Sequence, residues 1–238
     1  MKEVIVLGAG ASKAVKASLQ EELLQEIYID YPKSEVSQFL KDVFGVKESL
    51  DKELFPTIEE ILGIIEIDAV LSKNKNLKTF NPRTNENGIL SMISKVLKST
   101  ISSYGGKSDN HPHENLTRRL IEQNKLSNTT FISLNYDIIL ESRIMEASNY
   151  KIDYGLNDSN NYFSESELVK VYKPHGSLNL GYCEKCKHYE IFDYKVLDEI
   201  LRGKTCRDCA SKLNPFMISP TYFKHYKDKN YIKILGSK

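Results

Sequence analysis

The sequence lacks a long hydrophobic run, and no stretch approaches the roughly 18 to 20 apolar residues that cross a bilayer. Its first apolar segment, residues 4–7, is too short for the core of a secretory signal peptide. An excess of one charge is also missing, since 33 Lys and Arg stand against 32 Asp and Glu. Net charge therefore gives no reason to expect a membrane or a nucleic-acid partner. We expect a soluble cytoplasmic protein.

Cysteine is scarce, and its placement is informative. The four cysteines form two Cys-x-x-Cys pairs, Cys183 with Cys186 and Cys206 with Cys209, nineteen residues apart. Two such pairs can bring four thiolates to one tetrahedral Zn²⁺, and their spacing is typical of a zinc ribbon. Four ligands close the site, so a structural metal is expected. Two disulfides are the alternative, and they conflict with a cytoplasmic location. His188 is superfluous as a ligand.

A run of small residues follows the first predicted strand, the buried strand expected at residues 4–7. These residues are Gly8, Ala9, Gly10, Ala11 and Ser12. Small side chains there allow backbone N–H groups to face an anion at the start of a helix. The dinucleotide fingerprint is incomplete, because Lys13 occupies the position of its third glycine. The turn alone is compatible with phosphate binding and with an ordinary α/β connection.

A second strand is predicted at residues 129–134, and it ends at Asn135. Asp137 then precedes a helical pattern, where aspartate commonly caps the helix. In open α/β sheets, ligands bind outside the carboxyl ends of the strands. Asn135 is therefore a candidate site residue, and a turn residue is the alternative for it.

A third strand is predicted at residues 168–172, and Pro174 ends it because proline has no N–H to donate. His175 then lies at the tip of the strand. Gly176 permits a sharp turn or the close approach of a ligand. Histidine is the usual acid or base near neutral pH, although a loop-capping histidine would fit this stretch equally well.

The stretch between the first two strands, residues 18–125, shows helical spacing of its apolar residues. Thr57 and Glu60 form a capping-box pattern. About one hundred residues without a strand signal indicate a helical insertion or subdomain that covers a nucleotide crevice. His111 and His113 precede a predicted helix, and we expect both to be ordinary cap or surface residues.

Four markers now stand in order: Gly-Ala-Gly-Ala-Ser, Leu-Asn-Tyr-Asp and Lys-Pro-His-Gly-Ser after successive strands, then the four cysteines. Together they resemble the sirtuin family, and more closely its bacterial sirtuin-like branch linked to NAD⁺ consumption in anti-phage defence. The resemblance covers residues 1–17 and 128–224. It implies an α/β fold with a Rossmann-like parallel sheet, and it suggests that C-terminal strands are missing. The implied parts are an NAD-binding core (1–30, 128–182 and 210–238), a helical insertion (31–127) and a zinc ribbon (183–209).

The resemblance also implies roles for individual residues. Asn135 matches the catalytic asparagine that positions the nicotinamide ribose and an attacking water. Asp137 matches the acid of the nicotinamide pocket, and His175 matches the general base that contacts the ribose hydroxyls. The implied NAD-binding residues are Gly8, Ala9, Gly10, Ala11, Ser12, Asn135, Asp137, Gly176 and Ser177. The implied zinc ligands are Cys183, Cys186, Cys206 and Cys209.

Two departures from the family concern protein deacylation. Protein-deacylating sirtuins carry Gly-Ile-Pro-Asp-Phe-Arg after the glycine turn, where residues 13–17 here read Lys-Ala-Val-Lys-Ala. They also carry Phe-Gly-Glu after the ribbon, where residues 216–221 read Phe-Met-Ile-Ser-Pro-Thr. Both changes favour an NAD⁺ glycohydrolase. An NAD-dependent protein deacylase and a non-catalytic NAD or ADP-ribose-binding module are the alternatives. A homo-oligomer, or an effector or sensor domain beyond Lys238, would also fit.

Overall fold

The computed structural model describes residues 2–46, 55–61, 63–64, 92–93, 95–96, 111–156, 168–192 and 203–217. The chain divides into two compact units. One comprises 1–17, 100–217 and 226–238, and the other comprises 18–99 and 218–225. The helical insertion predicted at 31–127 has different limits from either unit.

The described strands all lie in the first unit, together with several helices, and the described elements of the second unit are helical. In chain order they are β1 (Glu3–Leu7), α1 (Ala9–Lys13), α2 (Gln20–Asp30), α3 (Glu35–Phe44), α4 (Pro112–Glu122), a 3₁₀ turn (Leu126–Asn128), β2 (Thr129–Ser133), α5 (Ile139–Ala147), β3 (Lys151–Asp153), β4 (Leu168–Tyr172), β5 (Gly176–Tyr182), β6 (Tyr189–Ile191) and β7 (Asn214–Met217).

Four strands form a parallel sheet in the order β1-β2-β4-β3. The predicted α/β class with a parallel sheet is therefore confirmed. The helix α5 lies in the connection from β2 to β3, since parallel strands of one sheet need a long crossover. The sequence pattern predicts β1, β2 and β4, but it does not predict the three-residue strand β3.

One face of this sheet is covered by α4 and α5. The residues that form this core are Leu120, Leu126, Phe131, Leu140, Ile144, Val169 and Val171. The alternation of side chains along β2 and β4 directs every second residue to this face. The packing of α4 on α5 and the sheet explains why residues 112–122 belong to the unit that contains the sheet.

The prediction that residues 4–7 are buried is wrong in part. β1 lies at the edge of the described sheet, and it buries only one face. Val4 and Val6 are 62% and 61% exposed on the other face. An apolar run predicts a strand from its composition, but whether another layer covers the second face depends on distant parts of the chain.

A second, antiparallel sheet has the order β6-β5-β7. β5 begins one residue after His175 and ends one residue before Cys183. This strand therefore connects the turn at the edge of the parallel sheet directly to the four-cysteine segment.

The helical unit follows its sequence signals closely. Ser34 caps α3 by accepting a hydrogen bond from the Ser37 N–H at 3.1 Å. The predicted capping box is confirmed, since Thr57 N–H donates to Glu60 at 2.7 Å and Glu60 N–H donates to the Thr57 hydroxyl at 3.2 Å. Buried residues on α2 and α3 are Leu23, Leu24, Ile27, Val36 and Leu40.

We expect Phe131→Ala to lower the free energy of unfolding by about 3–5 kcal/mol, because it leaves a cavity in the core under α4 and α5. Urea unfolding followed by circular dichroism measures this loss. Val6→Thr is the control on the neighbouring strand, and at its exposed position it should change the value by less than about 0.5 kcal/mol. Equal losses in both variants would contradict this description of the core.

Candidate functional site

The register of the parallel sheet brings three loops to one edge. Leu7 lies opposite Ser133, and Ile132 lies opposite Tyr172. β1, β2 and β4 therefore end at nearly the same level, and the residues that follow them leave the sheet side by side. The Leu134 N–H donates to Leu7 O at 2.9 Å and extends the β1–β2 ladder by one bond.

The first of these loops is the glycine turn. Gly8 precedes α1 and has an extended backbone, with φ of −111°. A methyl group added at Gly8 or Gly10 would meet no heavy atom within 4 Å. Glycine is therefore not required by the backbone angle of Gly8, and its effect is to leave the space beside the turn open. A ligand can approach the main chain there.

The second loop binds the first through Asn135. Its amide nitrogen donates to Gly8 O at 2.9 Å and to the Ser12 hydroxyl at 2.7 Å. These two bonds use both donors of the amide. The amide oxygen of Asn135 is then the part of this side chain that can accept a hydrogen bond from a ligand or a water molecule.

Asp137 continues this network from a buried position. The Ser12 hydroxyl donates to Asp137 Oδ2 at 2.6 Å, and the Ile139 N–H donates to Asp137 Oδ1 at 3.1 Å. The residue that precedes α5 is Ile138, so the cap predicted for Asp137 is shifted by one residue while its carboxylate still satisfies an N–H of the first turn. Asp137 thus joins the glycine turn to the start of α5.

The third loop is a β-turn that carries His175. Its closing bond runs from the Gly176 N–H to Lys173 O at 2.9 Å, and Gly176 has a φ of +84°, where glycine is strongly favoured. His175 is exposed, and its Nδ1 lies 3.1 Å from Leu134 O. Because a carbonyl only accepts, this bond requires the proton on Nδ1. Nε2 of a neutral imidazole is then the basic nitrogen.

The structure thus brings together most of the residues predicted for the site. The Ser12 hydroxyl is hydrogen-bonded to both Asn135 and Asp137, and the ring of His175 contacts the residue that precedes Asn135. The hydroxyls of Ser12 and Ser177 are turned into the protein, the latter 3.4 Å from Tyr136 O. Ala9, Gly10 and Ala11 form the body of α1.

Sequence reasoning missed a buried ion pair beneath these loops. Lys173 Nζ lies 3.1 Å from Glu141 Oε1, and both side chains are 1% exposed. Burial raises the pKa of Glu141, and the ammonium of Lys173 opposes this effect. The available signal was Glu141 itself, a carboxylate that directly follows the apolar run Ile138-Ile139-Leu140, since such residues are rarely buried unless they are paired.

The expectation that His111 and His113 are cap or surface residues is right only for the position of His111, which is the N-cap residue of α4, although its side chain makes no capping hydrogen bond. Neither residue lies on the surface, since each is only 4% exposed. Their rings lie 5.6 Å apart. Burial lowers the pKa of His113 from 6.5 to about 4, with help from His111, Arg143 and Lys173 and against the effect of Asp137. Packing of α4 on α5 encloses both rings, which a local capping pattern does not reveal.

The four cysteines form a cluster in which all sulfur atoms lie within 4.8 Å of one another. Cys183 Sγ is 3.4 Å from Cys209 Sγ, and Cys186 Sγ is 3.4 Å from Cys206 Sγ. A tetrahedral Zn²⁺ with bonds of about 2.3 Å requires sulfur separations of about 3.8 Å. The donor set and spacing therefore fit a structural zinc ion.

The two Cys-x-x-Cys pairs have the same backbone geometry. The carbonyl of Cys183 accepts a hydrogen bond from the Lys187 N–H, and the N–H of Cys183 donates to His188 O. In the same way, the carbonyl of Cys206 accepts from the Ala210 N–H, and the N–H of Cys206 donates to Ser211 O. Lys187 and Ala210 both have positive φ, at 58° and 54°.

Side chains also join the two pairs directly. His188 Nδ1 lies 3.4 Å from Asp208, and the carboxylate of Glu190 accepts from the Arg207 N–H at 2.9 Å. His188 is therefore occupied outside the sulfur cluster, as expected for a residue that is not a ligand.

Among the described residues, no helix has both the length and the apolar character needed to cross a membrane. No protein-family model matches the sequence, and no curated protein matches it.

Solved structures that match the chain include three sirtuins. They are Sir2Tm bound to a propionylated peptide (14% identity, TM-score 0.33), a structure described as the structural basis for sirtuin substrate affinity (14%, 0.32), and Sir2 with the inhibitor EX-527, 2′-O-acetyl-ADP-ribose and a deacetylated p53 peptide (15%, 0.30). Each match covers 92% of this chain but only 58% of the other. Such low scores carry no argument about the site, so its interpretation depends on the contacts above.

We expect purified protein to contain one zinc ion per chain, and Cys206→Ser to lose it, because each thiolate supplies a quarter of the coordination sphere. Plasma mass spectrometry measures the metal content. Limited proteolysis of residues 176–217 measures the loss of folded structure that we expect when the zinc is lost. His188→Ala should keep the metal. A protein that stays fully folded after its zinc is chelated would contradict a structural role.

The buried His113 should make stability fall in mild acid. Its folded pKa of about 4 lies below the ordinary 6.5, so between these values the unfolded chain binds more protons and stability is lost as pH falls. Between pH 7.5 and 5.5 this amounts to about 1 kcal/mol. His113→Leu should remove that part of the slope in urea unfolding, whereas Asn128→Ala, which changes an exposed residue that does not titrate, should not. Identical slopes in wild type and His113→Leu would show that the ring is not buried.

Proposed function

We propose that this chain is an NAD⁺ glycohydrolase that releases nicotinamide and leaves ADP-ribose, and that it acts in anti-phage defence. The observation that carries the proposal is the convergence of an open glycine turn, the amide of Asn135 and the imidazole of His175 at one edge of a parallel sheet. This edge is where open α/β sheets bind nucleotides.

The chemistry needs orientation and a base more than it needs an acid. When the bond between ribose C1′ and the pyridinium nitrogen of NAD⁺ breaks, its electron pair leaves with nicotinamide, which departs neutral. A water oxygen then bonds to C1′ and must lose a proton. His175 Nε2 is suited to accept that proton directly or through a ribose hydroxyl, because Nδ1–H is held by Leu134 O.

Asn135 is suited to orient the reacting groups. Its amide nitrogen is fixed by Gly8 and Ser12, so its oxygen has a defined direction from which to accept a hydrogen bond from a ribose hydroxyl or the water. Fixing reactants in this way is among the largest contributions a site can make to rate. Gly8 and Gly10 leave room for the pyrophosphate next to the same amide.

The turn after α1 supports water as the acceptor. Val15 and Ala17 pack against Ile139, and the N–H groups of both residues donate to Ser12 O at 3.0 Å. Lys16 takes a positive φ of 64° to make this tight turn. Two buried residues anchor this connection, and its exposed residues Lys13, Ala14 and Lys16 include neither the proline nor the phenylalanine of the loop that deacylating sirtuins carry there. Zinc, when bound by the four cysteines, would stabilise the ribbon and take no part in the reaction.

Nicotinamide release from NAD⁺ by the purified chain tests the proposal, with and without an acetyl-lysine peptide. We expect release that does not depend on the peptide. His175→Ala and Asn135→Ala should each lower the turnover rate by about 10²- to 10⁴-fold in a protein that stays folded. Asn128→Ala, at an exposed position before β2, is the matched control and should keep the wild-type rate.

Three outcomes would contradict the proposal. Release that requires the peptide would indicate a deacylase, and NAD⁺ binding without release would indicate a binding module. Near-wild-type rates in either variant would refute the roles given to these residues. The defence role is tested separately by plaque counts on bacteria that express wild type or His175→Ala, and equal counts would refute it.

A further inference from the structure

The buried contact between Lys173 and Glu141 joins the two segments that carry the candidate catalytic residues. Lys173 is the first residue of the β-turn that carries His175, and Glu141 lies in the first turn of α5, just after the loop of Asn135 and Asp137. The ammonium also donates to Asp137 O. One buried side chain thus contacts both the loop after β2 and the helix that follows it.

In two other hydrogen bonds between these segments, the donor likewise belongs to the segment of Lys173 and the acceptor to the loop after β2. The Leu178 N–H donates to Tyr136 O at 3.0 Å, and His175 Nδ1 donates to Leu134 O. Together with Asp137 O, three carbonyls of one loop accept hydrogen bonds from the turn or from β5. Of these three donors, only the Lys173 ammonium also contacts a buried carboxylate, that of Glu141 on α5.

Stability alone gives no reason for an ion pair at this place. Replacing a buried pair by apolar residues of similar volume is often neutral or stabilising, because both charges lose their hydration when buried. Apolar side chains could fill the space between the turn and α5, but they could not donate to Asp137 O. The pair therefore supplies a fixed geometry that simple packing does not.

We propose that Lys173 and Glu141 form a positioning pair that holds the His175 turn against the Asn135 loop at the distance the reaction requires. This inference rests on the proposed function, since it assigns a role in the same site. Neither residue is expected to touch NAD⁺. Loss of the pair should affect the rate of the chemical step more than the binding of the substrate.

The test is the double variant Lys173→Met/Glu141→Leu, which removes both charges and keeps similar side-chain volumes. Lys173→Met alone leaves a buried carboxyl without its partner, and we expect it to lower the melting temperature by roughly 10 °C. The double variant should recover most of that loss. Its kcat should nevertheless stay about 10- to 100-fold below wild type, with KM changed by less than about threefold.

An exposed Lys–Glu pair in the same unit provides the control. Lys125 Nζ lies 2.7 Å from Glu3 Oε1 and joins β1 to the segment before β2. Lys125→Met/Glu3→Leu changes the same residue types and should keep the wild-type kcat. A second readout without substrate is the ¹⁵N spectrum of the His175 ring, assigned with His175→Ala. Its signals should move in the Lys173/Glu141 double variant and stay in place in the control.

A folded double variant with wild-type kcat and unchanged His175 signals would overturn the inference. If the double variant does not fold, Glu141→Gln decides by the same two readouts, because it keeps the side-chain volume and removes the charge that the Lys173 ammonium contacts. If wild type releases no nicotinamide, the proposed function fails, and the His175 signals alone then support or overturn the positioning role.

Discussion

The alignment of three parallel strand ends is the constraint on which the site depends. Leu7, Ser133 and Tyr172 end their strands at nearly one level, so three loops that are distant in sequence leave the sheet as neighbours. Each loop then satisfies polar groups of the next: the amide of Asn135 bonds to Gly8 O, and the ring of His175 bonds to Leu134 O. The loops are therefore ordered by one another as well as by the sheet.

The parts of the site that sequence predicts are those set by local rules. A strand that ends in Asn135, or in a proline followed by His175, can be read from composition and turn chemistry. The buried pair Lys173 and Glu141 cannot, because it depends on two segments thirty-two residues apart in the chain. The burial of His111 and His113 was missed for the same reason, since the burial of a helix start is decided by the helix that packs on it.

The fold shows the same division. β2 and β4 follow from short β-branched runs, and the capping box at Thr57 follows from residue spacing alone. β5 was not predicted because Gly176 and Gly181 interrupt its apolar pattern, and glycine weakens a strand signal. The uncovered face of β1 was not predicted because composition does not state how many layers pack on a sheet.

The matching backbone turns after Cys186 and Cys209 have a thermodynamic consequence. Lys187 and Ala210 adopt a left-handed conformation that costs a residue with a side chain about 1–2 kcal/mol compared with the right-handed one. The folded ribbon thus contains an unfavourable backbone conformation at two equivalent positions. Zinc bound by the four cysteines would offset this cost, so we expect the folding of this segment to be coupled to the zinc concentration that the chain encounters during synthesis.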